Sequence, residues 1–179
     1  MNVEVMQESD LWVLSGRNFR AQMSKASASS HQRFKALVVK AQREAMVTLN
    51  PPTIPMVRSH SLLLCEWSDS GIQKAIGHLE AVICASGDIL VKDSELAQGI
   101  YLVVSGRLDK VKGGVVKDHV NKGESVSEMA TLLGTRNDFT YKASKHTRLW
   151  FLNRMHVMEL FCHEQMFTLR PIVLSTSPT

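Results

Sequence analysis

Several functional classes are excluded by what this chain of 179 residues has little of. Its longest apolar stretches, such as Ile100 to Val104 and Leu62 to Cys65, fall far short of the roughly 20 residues that cross a bilayer as a helix. The excess positive charge, +4, comes from Lys and Arg scattered along the chain without a block of like charge, so a nucleic-acid-binding tail is not expected. Three cysteines, Cys65, Cys84 and Cys162, are odd in number and widely spaced, which fits reduced thiols and not a disulfide framework. The N-terminus carries Glu4, Glu8 and Asp10 and lacks a basic start followed by an apolar core, so no secretory signal is read and the chain is expected to be intracellular. Without a G-x-x-x-x-G-K loop, an H-E-x-x-H pair or a G-x-S-x-G elbow, catalysis has no identifiable starting point, and no catalytic residue is assigned.

What is present divides the chain into parts. Phe34, Leu37, Val38, Ala41 and Ala45 recur at helical spacing and imply an amphipathic helix that packs against something. A less regular helical stretch from Leu11 to Met23 precedes it across the small polar run Ser24 to Ser30, and a leader without fixed structure is an equal alternative. Three of the five prolines lie in Pro51-Pro52-Thr53-Ile54-Pro55, where fixed φ angles and missing donors predict a helix end and an extended connector. The expected organisation is therefore a helical extension (1–50), a Pro-rich linker (51–60), a main domain (61–165) and a frayed tail (166–179). At its start, Ser68, Asp69 or Ser70 can cap a helix whose apolar face is Ile72, Ala75, Ile76 and Leu79.

From Ala81 the texture becomes β-type: Ala81 to Ala85, Ile89 to Lys92, Ile100 to Val104, Leu108 to Lys112 and Val115 to Val120, then Thr140 to Ala143 and Arg148 to Leu152. Gly113-Gly114 suits a two-residue turn with positive φ, so antiparallel hairpins follow. Asn121 to Gly134 interrupts them with a loop and one short helix, Ser127 being the expected N-cap before Glu128, Met129 and Ala130. A last helix is expected from Asn153 to His163. The fold class is α+β, mainly β: an antiparallel, jelly-roll-like double-stranded β-roll with an internal short helix and flanking helices.

A helix start inside such a roll offers N–H donors to an anion, and a carboxylate beside it can accept from a ribose hydroxyl. Glu128 is placed for that role, although its position alone equally fits a favourable first-turn carboxylate. The run Val120 to Thr135, with Gly87-Asp88, Gly99-Ile100-Tyr101-Leu102-Val103, Gly106 and Leu149-Trp150-Phe151-Leu152-Asn153-Arg154 around it, resembles the cyclic-nucleotide-binding domain family over about residues 68–160. The resemblance implies a phosphate-binding cassette formed by Ser127, Glu128, Met129, Ala130, Arg136, Asn137 and Thr140, with cyclic AMP or cyclic GMP as ligand, no other cofactor and no metal.

This chain departs from the family pattern inside the cassette. Where the family's phosphate-gripping Arg is expected, nine residues after Glu128, stands Asn137; Arg136 occupies the place of the family's Pro and reaches the Arg role only if the loop is one residue shorter. Val126 and Ser127 replace Phe-Gly, and Asp138 brings a negative charge beside the expected phosphate. An amide lacks the charge and planar fork of Arg, a loss of roughly 1.5–3 kcal/mol. Within the family, the segment 50–106, with its Asn50 to Pro55 linker, Trp67 and Gln98 to Gly106, is similar to the cytoplasmic region of sperm-type sodium/proton exchangers (solute carrier family 9 subfamily C). That likeness implies a regulatory module tethered to a membrane transporter at the cytoplasmic, flagellar face of the plasma membrane, not itself inserted. The alternatives are a ligand-free scaffold of the same fold and a regulatory subunit of a cyclic-AMP-dependent kinase. Two further features read as structural: His156, Glu159 and His163 beside Cys162 as the polar face of a helix before a metal set, and Cys84 as a core residue before a nucleophile.

Overall fold

A computed structural model describes residues 27–162. Two compact units divide between Ala41 and Gln42, and the architecture below belongs to the second. The helical elements are α1 (Ala28–Leu49), which runs across that division, α2 (Ile54–His60), α3 (Asp69–Gly77) and α4 (Glu128–Leu133), followed by α5 at 154–162. The strands are β1 (Glu80–Cys84), β2 (Ile89–Val91), β3 (Gly99–Ser105), β4 (Arg107–Lys112), β5 (Val115–Asn121), β6 (Ser125–Val126), β7 (Thr140–Ala143) and β8 (Thr147–Asn153).

The strands form two four-stranded sheets, ordered β1-β8-β3-β6 and β2-β7-β4-β5, with antiparallel pairing throughout. The expected β-roll is therefore the observed fold. Its centre is the β3–β8 pair, in which Leu102 lies opposite Trp150 and Val103 opposite Leu149. Side chains alternate between faces along a strand. Val103 and Leu149 accordingly join Leu108, Val120 and Ala143 of the second sheet in the roll interior, and Ile100, Leu102, Trp150 and Leu152 face outward against Val57, Leu64, Ile72 and Val157 of the helical layer. Both faces being covered, these strands read as continuous apolar runs, and each large side chain withdrawn from water contributes about 1.5–3 kcal/mol.

Most expected elements are found, and the exceptions have local causes. The Pro-rich segment is not an extended connector: α2 starts at Ile54, Pro55 occupies the first helical turn, and the Thr53 hydroxyl accepts from the Met56 N–H at 3.4 Å. Proline is disfavoured inside a helix but pre-organised in its first turn, where its missing N–H has no partner to lose. The residue that α1 buries is Met46, outside the expected face, whereas Leu37 and Val47 are exposed. Ser68 caps α3 by accepting from the Gly71 N–H at 3.0 Å. Gly113 and Gly114 hold φ of 58° and 78°, as a primed hairpin turn requires. The two-residue strand β6 was not expected, being too short for an alternation to show. The expected Leu11–Met23 helix and the tail lie outside the described residues.

Two predictions follow from this packing. A Cβ on Gly99 would collide with the Leu152 carbonyl oxygen and the Phe151 ring, so Gly99→Ala is expected to lower stability by about 1–3 kcal/mol in urea titration. Burial, with a smaller contribution from Asp88, pushes the Cys84 thiol from 9.0 up to about 11. The folded chain then keeps a proton that the unfolded chain releases, so this stability is intact below pH 9 and is lost as pH climbs towards 11. Cys84→Val is expected to remove the part of the alkaline decline that begins near pH 9.

Candidate functional site

The loop between β5 and β7 is built by backbone pairing. Gly123 N–H donates to the Val103 carbonyl and Val103 N–H to the Glu124 carbonyl, both at 2.9 Å, and β6 then pairs with Tyr101 and Leu102. This fixes the chain against the central strand just before α4. At Ser127 the backbone turns into the left-handed region, φ 66°, ψ 18°, and the Ser127 carbonyl accepts from the Thr131 N–H at 2.8 Å. The six-residue α4 ends at Gly134, φ 67°, where a Cβ would sit 2.7 Å from Nη2 of Arg154. The guanidinium of Arg154 itself donates from Nε to the Thr131 carbonyl at 2.9 Å.

After α4, residues 135–137 are stitched to 94–97. Ala97 N–H donates to the Thr135 carbonyl (3.1 Å), Asn137 N–H to the Glu95 carbonyl (2.8 Å) and Ser94 N–H to the Asn137 carbonyl (2.8 Å). These bonds bring Ser127 and Asn137 together. The Ser127 hydroxyl donates to Oδ1 of Asn137 at 2.6 Å, and Nδ2 of Asn137 donates to the Glu95 carbonyl at 2.9 Å. Asn137 is only 4% exposed. Ser127 is thus not the side-chain N-cap the sequence suggests: its hydroxyl makes no cap bond and is spent on Asn137.

The other sequence-predicted residues scatter. Arg136 is exposed and its Nη1 donates to the Ser94 carbonyl at 2.6 Å, so its fork is tied to the outer loop. Thr140 accepts from the Asp93 N–H at 3.0 Å, Met129 is 63% exposed and Ala130 is half-buried. Glu128 is half-buried, and its Oε1 is fully covered without a hydrogen-bond partner. Asp138 faces solvent while its carbonyl accepts from Nζ of Lys112 at 2.7 Å. The same ammonium pairs with Asp93 at 2.9 Å, and this bond holds the Asp93 carboxyl below its ordinary range. Nζ of Lys110 stands 4.2 Å above the Phe139 ring, a cation–π contact.

A cleft of about 410 Å³ opens where the second sheet meets the 123–125 turn and the segment that follows α2. Lys110 pairs in register with Asp118 on one side and Tyr141 on the other, so the three side chains share a face. Two residues further on along the same strands, Leu108, Val120 and Ala143 are interior residues, so that face is the inner one. Cys65 and Glu124 also line the cleft. Burial first, and the Glu66 carboxylate second, raise the Cys65 thiol, with a smaller contribution from Glu128; Tyr141 is raised by burial and by Asp138. Both therefore stand protonated at neutral pH. Sequence reasoning missed Lys110, Asp118, Tyr141 and Cys65, although the two-residue spacing from Leu108, Val120 and Ala143 marks the first three as inward-facing. At α5, Nδ1 of His156 lies 3.7 Å from Glu159 and the ring stacks on His78 at 3.9 Å. No metal-binding group of three such side chains occurs among the described residues; His163 lies outside them. Nor is any helix among those residues long and apolar enough to cross a membrane.

Known proteins share this fold. Residues 82–163 match the family model described as cyclic nucleotide-binding domain. A cAMP-dependent protein kinase regulatory subunit of Yarrowia lipolytica is 25% identical over 97 residues, which is 54% of this chain and 26% of the relative, so the chain spans about a quarter of that protein. Among solved structures, the cAMP-bound regulatory domain of Toxoplasma gondii PKA superposes with a TM-score of 0.56 at 19% identity, covering 67% of this chain and 44% of that one. The regulatory subunit of a cAMP-independent protein kinase A from Trypanosoma cruzi, bound to guanosine, gives 0.56 at 20% identity over 60% of this chain and 38% of its own. These structural likenesses establish the fold.

The Ser127–Asn137 lock makes a discriminating prediction. A left-handed serine costs on the order of 1 kcal/mol that glycine avoids, and its hydroxyl returns about 0.5–1.5 kcal/mol through Asn137. Ser127→Ala loses the bond and keeps the strain, whereas Ser127→Gly loses both, so chemical denaturation is expected to rank Ser127→Ala about 1 kcal/mol below Ser127→Gly.

Proposed function

We propose, from the place of residues 82–163 in the cyclic nucleotide-binding domain family, that this chain is a regulatory module which recognises the nucleoside part of its ligand and has lost the family's grip on phosphate. One observation carries the reading. The residue at the position of the phosphate-gripping Arg, Asn137, is neutral and has both ends of its amide occupied within the protein, by Ser127 and the Glu95 carbonyl. Arg136, the nearest alternative, is bound to the Ser94 carbonyl. Glu128 keeps a covered carboxylate oxygen without a partner, the kind of group a ribose hydroxyl would satisfy. The cleft of about 410 Å³, within the size range of small-ligand pockets, is lined by Gly123, Glu124 and Ser125 just before α4 and by none of Ser127, Glu128 and Asn137. Guanosine in the Trypanosoma cruzi relative is a nucleoside without phosphate, which supports this order of preference. The module works without catalysis: ligand or partner binding changes the populations of its states.

Two parent assemblies are suggested. Similarity to the Yarrowia lipolytica subunit favours a kinase regulatory setting, while the sodium/proton exchanger setting, with its transporter partner and flagellar location, rests on sequence resemblance alone. A second reading, a ligand-free scaffold of the same fold, is favoured by the self-satisfied Asn137.

Calorimetric titration with cyclic AMP, cyclic GMP, adenosine and guanosine tests the proposal. The cyclic nucleotides are expected to bind no more than about tenfold tighter than their nucleosides, and Asn137→Arg is expected to raise cyclic-nucleotide affinity alone by about tenfold to a hundredfold. Glu128→Ala should weaken all four. Submicromolar cyclic AMP binding by the unaltered chain would overturn the proposal. Heat from none of the four would leave the scaffold reading in its place.

A further inference from the structure

A second cleft, of about 400 Å³, lies on the outer face of the first sheet and shares His60 with the first. Arg148, Trp150 and Leu152 alternate with the interior residue Leu149 and so point outward. The register shift between Val103 and Ser105 brings Ser105 opposite Arg148, whose Nε donates to the serine hydroxyl at 2.9 Å. Lys122 supplies a second cation to the same cleft, and Met46, Met56, Val104 and Trp150 supply its apolar lining.

Its charge distinguishes it from the cavity beside the cassette. That one mixes Lys110 and Arg58 with Asp118 and Glu124; the outer one has Lys122 and Arg148 and no acidic lining residue. Neither cation has a carboxylate partner among the described residues. Trp150, 1% exposed, lines the cleft, and its indole N–H is buried without an acceptor. Two cations without a carboxylate partner among the described residues, a donor lacking its acceptor and a wall of methionine and valine together ask for a ligand with an oxyanion at one end and an apolar body at the other.

We infer that this outer cleft binds a small amphiphilic anion, a phosphate or carboxylate carried on an aryl or alkyl group, independently of the cassette. Arg148 and Lys122 hold the oxyanion, and the apolar body lies against Met56 and Val104, over the buried Met46 and Trp150. Because Met46 and Met56 belong to α1 and α2, occupation would link a metabolite to the helices that cover the roll.

The test uses the full chain with 15N-labelled tryptophan, the indole signal of Trp150 being assigned with Trp150→Phe. Phenyl phosphate is expected to shift that signal saturably, with phenol and inorganic phosphate each at least tenfold weaker. Lys122→Glu, at an exposed turn position where folding is not at risk, and Arg148→Met should each weaken phenyl phosphate about tenfold or more. An unmoved Trp150 signal at millimolar phenyl phosphate, equal binding of phenol, or indifference to Lys122→Glu would each overturn the inference. Cyclic-nucleotide binding can fail or succeed without altering any of these readouts.

Discussion

The structure depends on the two-faced burial of the β3–β8 pair. Leu102 and Trp150 on one face, Val103 and Leu149 on the other, are all at most 1% exposed. A single strand pair therefore belongs to two cores, one between the sheets and one under the helices. Slipping its register by one residue would exchange the two sets, putting Trp150 into an interior built for Leu149. That penalty fixes the register, and the register fixes everything hung from it. It sets where β6 meets Tyr101 and Leu102, and thereby where α4 starts. It also decides which of Arg148 and Leu149 faces the helical layer.

The cassette loop uses this rigidity without depending on a charge. Backbone bonds from 135–137 to 94–97 and from Gly123 and Glu124 to Val103 hold it in place, and the amide of Asn137 fills the remaining polar space. An arginine at that point would leave a buried cation seeking an anion, a state that costs several kcal/mol until a ligand arrives. Asparagine removes the requirement. The loop retains its geometry with the amide of Asn137 met internally, by Ser127 and the Glu95 carbonyl.

Much of this was legible from the amino acids because the roll writes its pattern in short units: alternation along each strand, Gly113-Gly114 at a primed turn, and glycines at 87, 106 and 123 where φ is positive. What escaped had weak local signals. Pro51 to Pro55 reads as a helix breaker unless one knows that Pro55 falls in the first turn of α2. Ser127 has the composition of an N-cap, yet its left-handed backbone directs the hydroxyl elsewhere, a tertiary outcome set by Asn137 ten residues on. Lys110 and Asp118 look like solvent-facing charges although they stand two residues from Leu108 and Val120, and their register with Tyr141 brings them to one cavity. The resemblance singles out Asn137 against the expected Arg; its pairing with Ser127 and Glu95 has no sequence signal, since no spacing rule connects the three.

The internal satisfaction of Asn137 bears on regulation as well as affinity. A ligand shifts an equilibrium only by the difference in its affinity for two states. In a cassette with a free arginine, phosphate supplies that difference, because the cation is unsatisfied in one state and paired in the other. Here both ends of the amide are occupied within the protein, by Ser127 and by the Glu95 carbonyl. Among the described residues, four buried side-chain polar atoms remain without a partner. Glu128 Oε1 is one; the indole N–H of Trp150, which lines the outer cleft with Met46 and Met56, is another. Trp150 belongs to the cluster that joins the first sheet to Val57, Leu64 and Ile72, so its unmet donor sits where the helices meet the roll.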